Sequence, residues 1–325
     1  MQIRLFRRCI ATVIGLGLGL GLLAMSAVQA AAPMAKKSGP GFYRMMLGDF
    51  EVTALSDGTV ELPVNKILTR ILEADVDKAL AAQSLKSPLE TSVNAFLVNT
   101  GDKLVLIDTG AAKLFGPTLG NMLDNLKASG YSPDQVDEIY VTHMHADHVG
   151  GLMSGGQRAF PNAVVRADKG DSDFWLSKEQ MEKAPAAMKG FFQGAQASLG
   201  AYLEAGKFVA YDGNSNLVSG IRSIVTRGHT PGHSVFVVES KGQKMMVLGD
   251  MMHVAAIQFA QPNVAIQFDT DSNTAASQRA SLYEQGAKEG FIFAVAHVSF
   301  PGLGRVITNG GSGYVWLPVN YSPVK

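Results

Sequence analysis

His143-Met144-His145-Ala146-Asp147-His148 puts three imidazoles and a carboxylate within six residues, a dense cluster of metal-ligating side chains. The preceding Ile-Tyr-Val-Thr (139–142) predicts a buried strand, and Val-Gly-Gly-Leu (149–152) a glycine-loosened turn. Ligands at the carboxyl end of a strand sit on a rim, facing solvent and substrate. The chain holds only seven histidines and three of them fall here, which argues against a chance surface cluster.

The other four histidines extend the pattern. His229 and His233 lie in Arg-Gly-His-Thr-Pro-Gly-His-Ser (227–234), His253 follows Leu-Gly-Asp-Met-Met (248–252), and His297 follows the apolar run 291–296. Asp250 ends the apolar run 245–249. Neutral imidazole and carboxylate suit zinc and similar first-row ions, so zinc, manganese, iron and cobalt all remain acceptable. Alternate residues of an extended segment point the same way, so His143 and His145 can grip one ion together. Asp147-His148 points differently and can serve a second. Two ions roughly 3.5–4 Å apart can make a nucleophile of a shared hydroxide near neutral pH, without a Ser or Cys nucleophile.

The HxHxDH spacing, with later single ligands each at the end of a predicted strand, resembles the metallo-β-lactamase superfamily. The resemblance implies that His143, His145 and His229 hold one metal, that Asp147, His148 and His297 hold the other, and that Asp250 bridges them. It implies two divalent ions per chain, with zinc expected, in an α/β fold: an αββα sandwich of two mixed sheets packed face to face with helices outside. Members with antibiotic lactamase activity typically lack a carboxylate where this chain has Asp250, which argues against a β-lactamase.

The chain opens with Arg4, Arg7 and Arg8 ahead of an apolar, Gly-rich run from Ile10 to Ala24. That pattern predicts a signal peptide over 1–30, cleaved near Ala30, and a periplasmic or secreted enzyme. A membrane anchor is the alternative, though the run is short for a span. Arg7-Arg8 admits a twin-arginine signal. Cys9, the single cysteine, lies inside this segment, so the mature chain has no disulfide and no thiolate ligand. Removing residues 1–30 takes away three Arg and no acid. Lys plus Arg then falls from 28 to 25 against 28 acids, a net of −3. Several nucleases share the HxHxDH cluster, but this balance and the absence of a basic run make a nucleic-acid substrate unexpected. The expected partner is a small molecule, with no membrane association after cleavage, and the resemblance implies a homodimer.

Residues 31–41 read as a flexible lead-in and 42–325 as one hydrolase domain, since the ligands span 143 to 297 and no linker interrupts them. Residues 50–58 predict a strand ending at an Asp57-Gly58 turn, and 92–110 two strands about Gly101-Asp102, the second doubly covered. Residues 117–129 carry leucines at helical spacing, and Ser132-Pro133-Asp134 begins a short helix. Strands follow at 163–167, 222–226, 234–239 and 244–249, then a helix at 273–287 and a final buried strand at 291–296. The two halves faintly mirror each other, with Asp108 ending one apolar strand as Asp250 ends another. Asp108 reads either as a residue that orients a ligand or as a turn cap. His233 reads as a local hydrogen-bonding residue rather than a ligand.

A narrower resemblance rests on Tyr-Arg-Met-Met-Leu-Gly-Asp-Phe-Glu-Val-Thr-Ala-Leu-Ser-Asp-Gly (43–58), the strings at 88–101 and 104–122, 137–153, Phe-Pro-Asn-Ala-Val-Val-Arg-Ala-Asp (160–168) and Leu-Pro-Val-Asn-Tyr-Ser (317–322). Together these are similar to secreted methyl parathion hydrolases and their lactonase relatives, from about residue 42 to the C-terminus. The resemblance implies a pocket wall of Phe115, Trp175, Phe191, Phe192 and Phe268. An aromatic bowl favours a flat, apolar leaving group. The chain departs from the organophosphate-hydrolysing pattern at His253, where those enzymes carry an aliphatic residue, and at Ile67-Leu68, where they carry an arginine. Ile266 and Phe268 are bulkier than their counterparts, and the segment before Phe191 is one residue shorter. A tighter pocket with an extra imidazole suits a planar lactone. The expectation is therefore an aryl lactonase of the dihydrocoumarin-hydrolase kind with organophosphate side activity. Its expected catalytic groups are Asp147, Asp250 and His253, and its expected substrate-binding residues are Leu68, Phe115, Trp175, Phe191, Phe192, His253, Ile266 and Phe268. The rival readings are a phosphotriesterase, an acyl-homoserine lactonase, and a metal-binding protein without turnover.

Overall fold

Leu104-Val105-Leu106-Ile107 is apolar at every position, and the computed structural model shows a strand covered on both faces. Val105 and Ile107 point between two sheets, while Leu104 and Leu106 point at helices, as the two-residue alternation of a strand requires. The structure describes residues 32–36, 38–311, 313–322 and 324, so the export segment expected at 1–30 lies outside the described residues. Gly39–Lys325 form one compact unit. Among the described residues no helix is long and apolar enough to cross a membrane.

Each main sheet has seven strands, and in each the spatial order is the chain order. The first contains β1 (Phe42–Leu47), β2 (Phe50–Leu62), β3 (Leu89–Asn99), β4 (Leu104–Ile107), β5 (Glu138–Tyr140), β6 (Val164–Asp168) and β7 (Phe208–Tyr211). It is antiparallel as far as β4 and parallel from β4 to β7. The second contains β8 (Asn216–Val218), β9 (Ile221–Val225), β10 (Ser234–Ser240), β11 (Gln243–Val247), β12 (Ile292–Ala294), β13 (Leu303–Thr308) and β14 (Tyr314–Pro318). Its neighbours are antiparallel except β11 and β12.

The inner faces meet through Val52, Phe96, Val98, Val105, Ile107 and Tyr140 on one side and Phe236, Val238, Met245, Val247 and Ala294 on the other. Outside the first sheet lie α1 (Met122–Ala128) and α2 (Lys189–Glu204), whose Leu126, Phe192, Leu199 and Tyr202 join Leu106, Ile139 and Val165. Outside the second lies α3 (Ser272–Glu289), with Leu282 and Tyr283 against Val237, Met246 and Phe293. The result is the expected αββα sandwich. Each fully buried Leu, Ile or Val contributes roughly 1.5–3 kcal/mol, so both sheet faces matter to stability. Asp271 caps α3 by accepting from the N–H groups of Asn273 and Thr274, and Gly290 closes it in the left-handed region.

Three expectations change, and one helix, α2, was not anticipated. Asp57-Gly58 is a bulge within β2, not a turn, and the strand runs on to Leu62. The Asp57 carboxylate accepts from the N–H groups of Met122 and Ala111, so the chain ahead of Met122 is a loop and the helix expected at 117–129 begins there. The strand at 291–296 is not the last: β13 and β14 follow, the first interrupted by exposed Arg305 and Thr308 and the second ended by Pro318. α2 carries glycines and glutamines among its core residues, which hid its periodicity.

Candidate metal centre

Five segments reach one rim. Asp108 follows β4, His143 to His148 follow β5, His229 lies between β9 and β10, Asp250 follows β11, and His297 follows β12. All therefore leave the carboxyl ends of strands, four of them strands in parallel pairs, where crevices form in sheets of this kind. His145 directly precedes the short helix Ala146–Val149, which turns Asp147 and His148 away from the HxH pair.

Every expected ligand arrives in one cluster. His143, His145, His229 and Asp250 offer donor atoms within 4.8 Å of one another, and Asp147, His148 and His297 form an adjoining group. The first group holds three residues of one implied set together with Asp250, the second holds the three residues of the other, and Asp250 also groups with His253 and His297. The Asp250 carboxylate is divided between the two sets. Its Oδ2 lies 3.4 Å from His143 Nε2 and 3.2 Å from His229 Nε2, and its Oδ1 lies 3.0 Å from both His148 Nε2 and His297 Nε2. His145 presents Nδ1, 3.1 Å from His229 Nε2. His253 Nε2 stands 3.1 Å from Asp250 Oδ2.

The donor set fits a pair of divalent cations. His143 Nε2, His148 Nε2 and Asp250 Oδ1 are buried without a hydrogen-bond partner, although His148 and Asp250 approach closely. Buried lone pairs left facing one another are costly, and a cation between them satisfies all at once. Electrostatics agree. Burial holds His143 and His145 well below the usual imidazole range. Burial opposes protonation of His148 too, but Asp250, Asp108 and Asp147 outweigh it and raise that imidazole well above its ordinary value. At His229 burial is outweighed by hydrogen bonds to Asp250 and Asp269, which lift it to about 9. Burial also disfavours ionised Asp250, yet the surrounding imidazoles, His148 first, hold it well below the carboxylate range. Neutral His143 and His145 beside an ionised Asp250 are the protonation states a metal ligand needs, and divalent cations would supply the positive charge that His148 and His229 otherwise take up as protons.

The outward-facing ring nitrogens are also engaged. His148 Nδ1 meets Asp108 Oδ2 at 2.8 Å, and the same carboxylate accepts from the N–H and Oγ1 of Thr142. Asp108 is therefore an orienting residue, the first of its two readings. His229 Nδ1 meets Asp269 Oδ1 at 2.9 Å, and His297 Nδ1 donates to the Ser92 carbonyl at 2.9 Å. His233 behaves as expected: its Nε2 accepts from the N–H of Asp250 at 3.0 Å, and its Nδ1 pairs with Thr226 Oγ1. Asp269 and Asp171 escaped the sequence reading. Asp171 accepts from the N–H groups of Met144 and Gly232, tying the HxH peptide to the loop after His229. No sequence pattern marks either residue, since both sit in ordinary polar stretches.

A narrow cleft opens over the cluster. Its floor is His145, Asp147, Asp250, His253 and His297, and its walls include Val60, Leu62, Phe115, Phe191 and Phe268. Four expected wall residues are displaced. Trp175 is 1% exposed and packs edge-on behind His145 at 5.2 Å, with Phe192 behind it in turn. Leu68 and Ile266 lie one layer back, buried beneath Phe115 and Phe268. Trp175 sits in a polar stretch because its helix is short and amphipathic, not because its indole meets substrate. Val60 and Leu62 were missed because β2 was expected to end before them.

The model of the metallo-beta-lactamase superfamily matches residues 89–297. An N-acyl homoserine lactonase of Bacillus thuringiensis is 25% identical over 194 residues, covering 54% of this chain and 68% of its own length. Among solved structures, the hydrolase AbOPH superimposes with a TM-score of 0.84 at 36% identity, over 88% of this chain and all of that one. AidC, a dizinc quorum-quenching lactonase, gives 0.79 at 27% identity over 87% and 99%.

Proposed function

Because the chain belongs to the metallo-β-lactamase superfamily and is a metal-dependent hydrolase, we propose that it opens aryl lactones and esters of the dihydrocoumarin kind, with phosphotriesters as side substrates. The observation that carries this reading is the cavity wall. Val60, Leu62, Phe115, Phe191 and Phe268 offer only apolar and aromatic surface, and no Lys or Arg is among the lining residues. Such a wall favours an uncharged, flat substrate over one bearing a carboxylate or phosphate.

Two divalent ions, zinc being the expected species, would supply an activated water and polarise the electrophilic oxygen. The chain's own residues do the rest. His143, His145 and His229 would hold one ion and Asp147, His148 and His297 the other, while the two oxygens of Asp250 keep the pair together. Phe115, Phe191 and Phe268 stack or edge against the aryl ring and exclude water. Asp147, on the cavity floor and 3.5 Å from His297 Nε2, lies beside the reacting centre. His253 Nε2 lies 3.1 Å from Asp250 Oδ2, and burial keeps its imidazole neutral, so it can take up the proton released by the attacking water and hand that proton to the departing phenolate.

A second reading has its own support, since relatives of this chain are named N-acyl homoserine lactonases. A side-by-side kinetic panel separates them: dihydrocoumarin, an acyl-homoserine lactone, p-nitrophenyl acetate and methyl parathion. The highest kcat/KM is expected for dihydrocoumarin. Either rival in first place overturns the assignment.

A further inference from the structure

The segment after Asp250 carries His253 into the cavity floor, and two buried polar side chains hold it there. Gln258 is fully buried. Its Oε1 accepts from the N–H groups of His253 at 2.8 Å and Val254 at 2.9 Å, and its Nε2 donates to the Val264 carbonyl at 3.0 Å. Arg279, on α3, is equally buried. It donates from Nε to the Met251 carbonyl, and from Nη1 to the carbonyls of Pro262 at 2.8 Å and Val264 at 2.7 Å. All these acceptors are backbone carbonyls, and Nη2 has no partner. A buried guanidinium hydrogen-bonded to carbonyls alone is a costly feature that a hydrocarbon would replace if packing were its only purpose.

The network closes on one short stretch. Arg279 fixes the carbonyl of Met251, Gln258 fixes the N–H groups of His253 and Val254, and both side chains meet at Val264. The imidazole at its centre has little else to orient it. His253 Nδ1 is buried without a partner, and beyond the Nε2 contact to Asp250 the ring meets only other rings: His297 stacked at 5.3 Å and 18°, His229 at 5.1 Å and Phe268 at 6.3 Å. We propose that Gln258 and Arg279 are positioning residues that set His253 against Asp250 Oδ2 by clamping its peptide on both sides. The purpose of the clamp rests on the catalytic role given to His253 above. Small misplacements of a reacting group cost large factors in rate, which is what such a clamp prevents.

A double-mutant cycle tests the assignment. Gln258→Met keeps the shape and removes the acceptor. It is expected to lower kcat roughly 10- to 100-fold with KM changed less than about threefold and two ions per chain retained. In a His253→Leu background the same change is expected to cost less than about twofold more. Full additivity in the cycle overturns the proposal. Gln258→Glu retains the acceptor and should restore most of kcat, and Arg279→Lys should fall between. Amide exchange on the metal-free protein gives an independent reading: Gln258→Met should release the His253 and Val254 amides while those of α3 stay protected. Unchanged protection also overturns the clamp. Any substrate the enzyme turns over serves, so a wrong lactone assignment leaves the cycle interpretable. An inert His253→Leu overturns the catalytic role, and with it the clamp's purpose, whatever the exchange result.

Discussion

Each of the two ligand sets contains one imidazole backed by a carboxylate: His229 by Asp269 in the first, His148 by Asp108 in the second. A carboxylate behind an imidazole fixes the ring and makes its far nitrogen a better donor, an effect typically worth 10–100-fold in metal affinity. Asp269→Asn should therefore release one ion at a chelator concentration that leaves the other bound, and Asp108→Asn should release its counterpart. Metal counting after graded chelation checks this, and simultaneous loss of both ions from either variant contradicts the division. The ligands themselves were legible because HxHxDH is contiguous and its later partners each follow a predicted strand. Asp269 and Asp171 were not, because nothing local demands them. Their partners, His229 Nδ1 and the Met144 N–H, are set by the meeting of segments 40 and 27 residues away.

At the scale of elements, the short helix Ala146–Val149 and its Gly150-Gly151 exit pack directly on the turn after β4. Gly151 donates to the Gly110 carbonyl at 3.0 Å and Thr109 to the His148 carbonyl at 2.8 Å. A Cβ on Gly151 would overlap the Thr109 carbonyl oxygen. Gly151→Ala should cost at least about 2 kcal/mol by overpacking, with reduced metal occupancy, read by urea unfolding and metal analysis. An unchanged midpoint with full occupancy contradicts that contact. The helix Lys169–Trp175 braces the same motif from the other side through Asp171, whose carboxyl burial pushes up to about 6 from 3.8. Between those values the unfolded chain releases its proton while the folded chain keeps it, so Asp171 erodes stability as pH rises. The erosion totals on the order of 3 kcal/mol and is complete above pH 6. Asp171→Asn removes that dependence. Its unfolding free energy relative to wild type should shift in its favour between pH 4 and 6.5 at equal metal loading, and a flat difference excludes the effect. Strand β4 and the centre of β10, Val235 to Val238, were readable because burial on both faces leaves no polar position there. β14 was not, because its five residues end in Pro318 and no alternation of polar and apolar side chains distinguishes its faces.

For the whole molecule, the decisive fact is which sheet supplies which donor. His143, His145, Asp147 and His148 follow a strand of the first sheet, whereas His229, Asp250 and His297 follow strands of the second. Each donor set takes residues from both, so bound cations would pin the two layers together at one end of their shared core. A ligand held only by the folded state stabilises it by mass action, about 2.7 kcal/mol per site at a hundredfold excess over Kd. Two sites give on the order of 5 kcal/mol, a Tm shift on the order of 10 °C or more for a domain of this size. Chelation should lower Tm by that order, abolish hydrolysis, and leave far-ultraviolet circular dichroism nearly unchanged, because neither sheet's strand pairing depends on the metals. Exchange should loosen first in the rim segments 143–149, 226–233, 248–254 and 295–298, not in β4 or β10. Two zinc ions per chain should restore both Tm and rate. Fewer than about two ions per chain in the purified protein, with activity that survives chelation, would instead mean that the buried lone pairs of His143, His148 and Asp250 are satisfied some other way, and the binuclear assignment would fall.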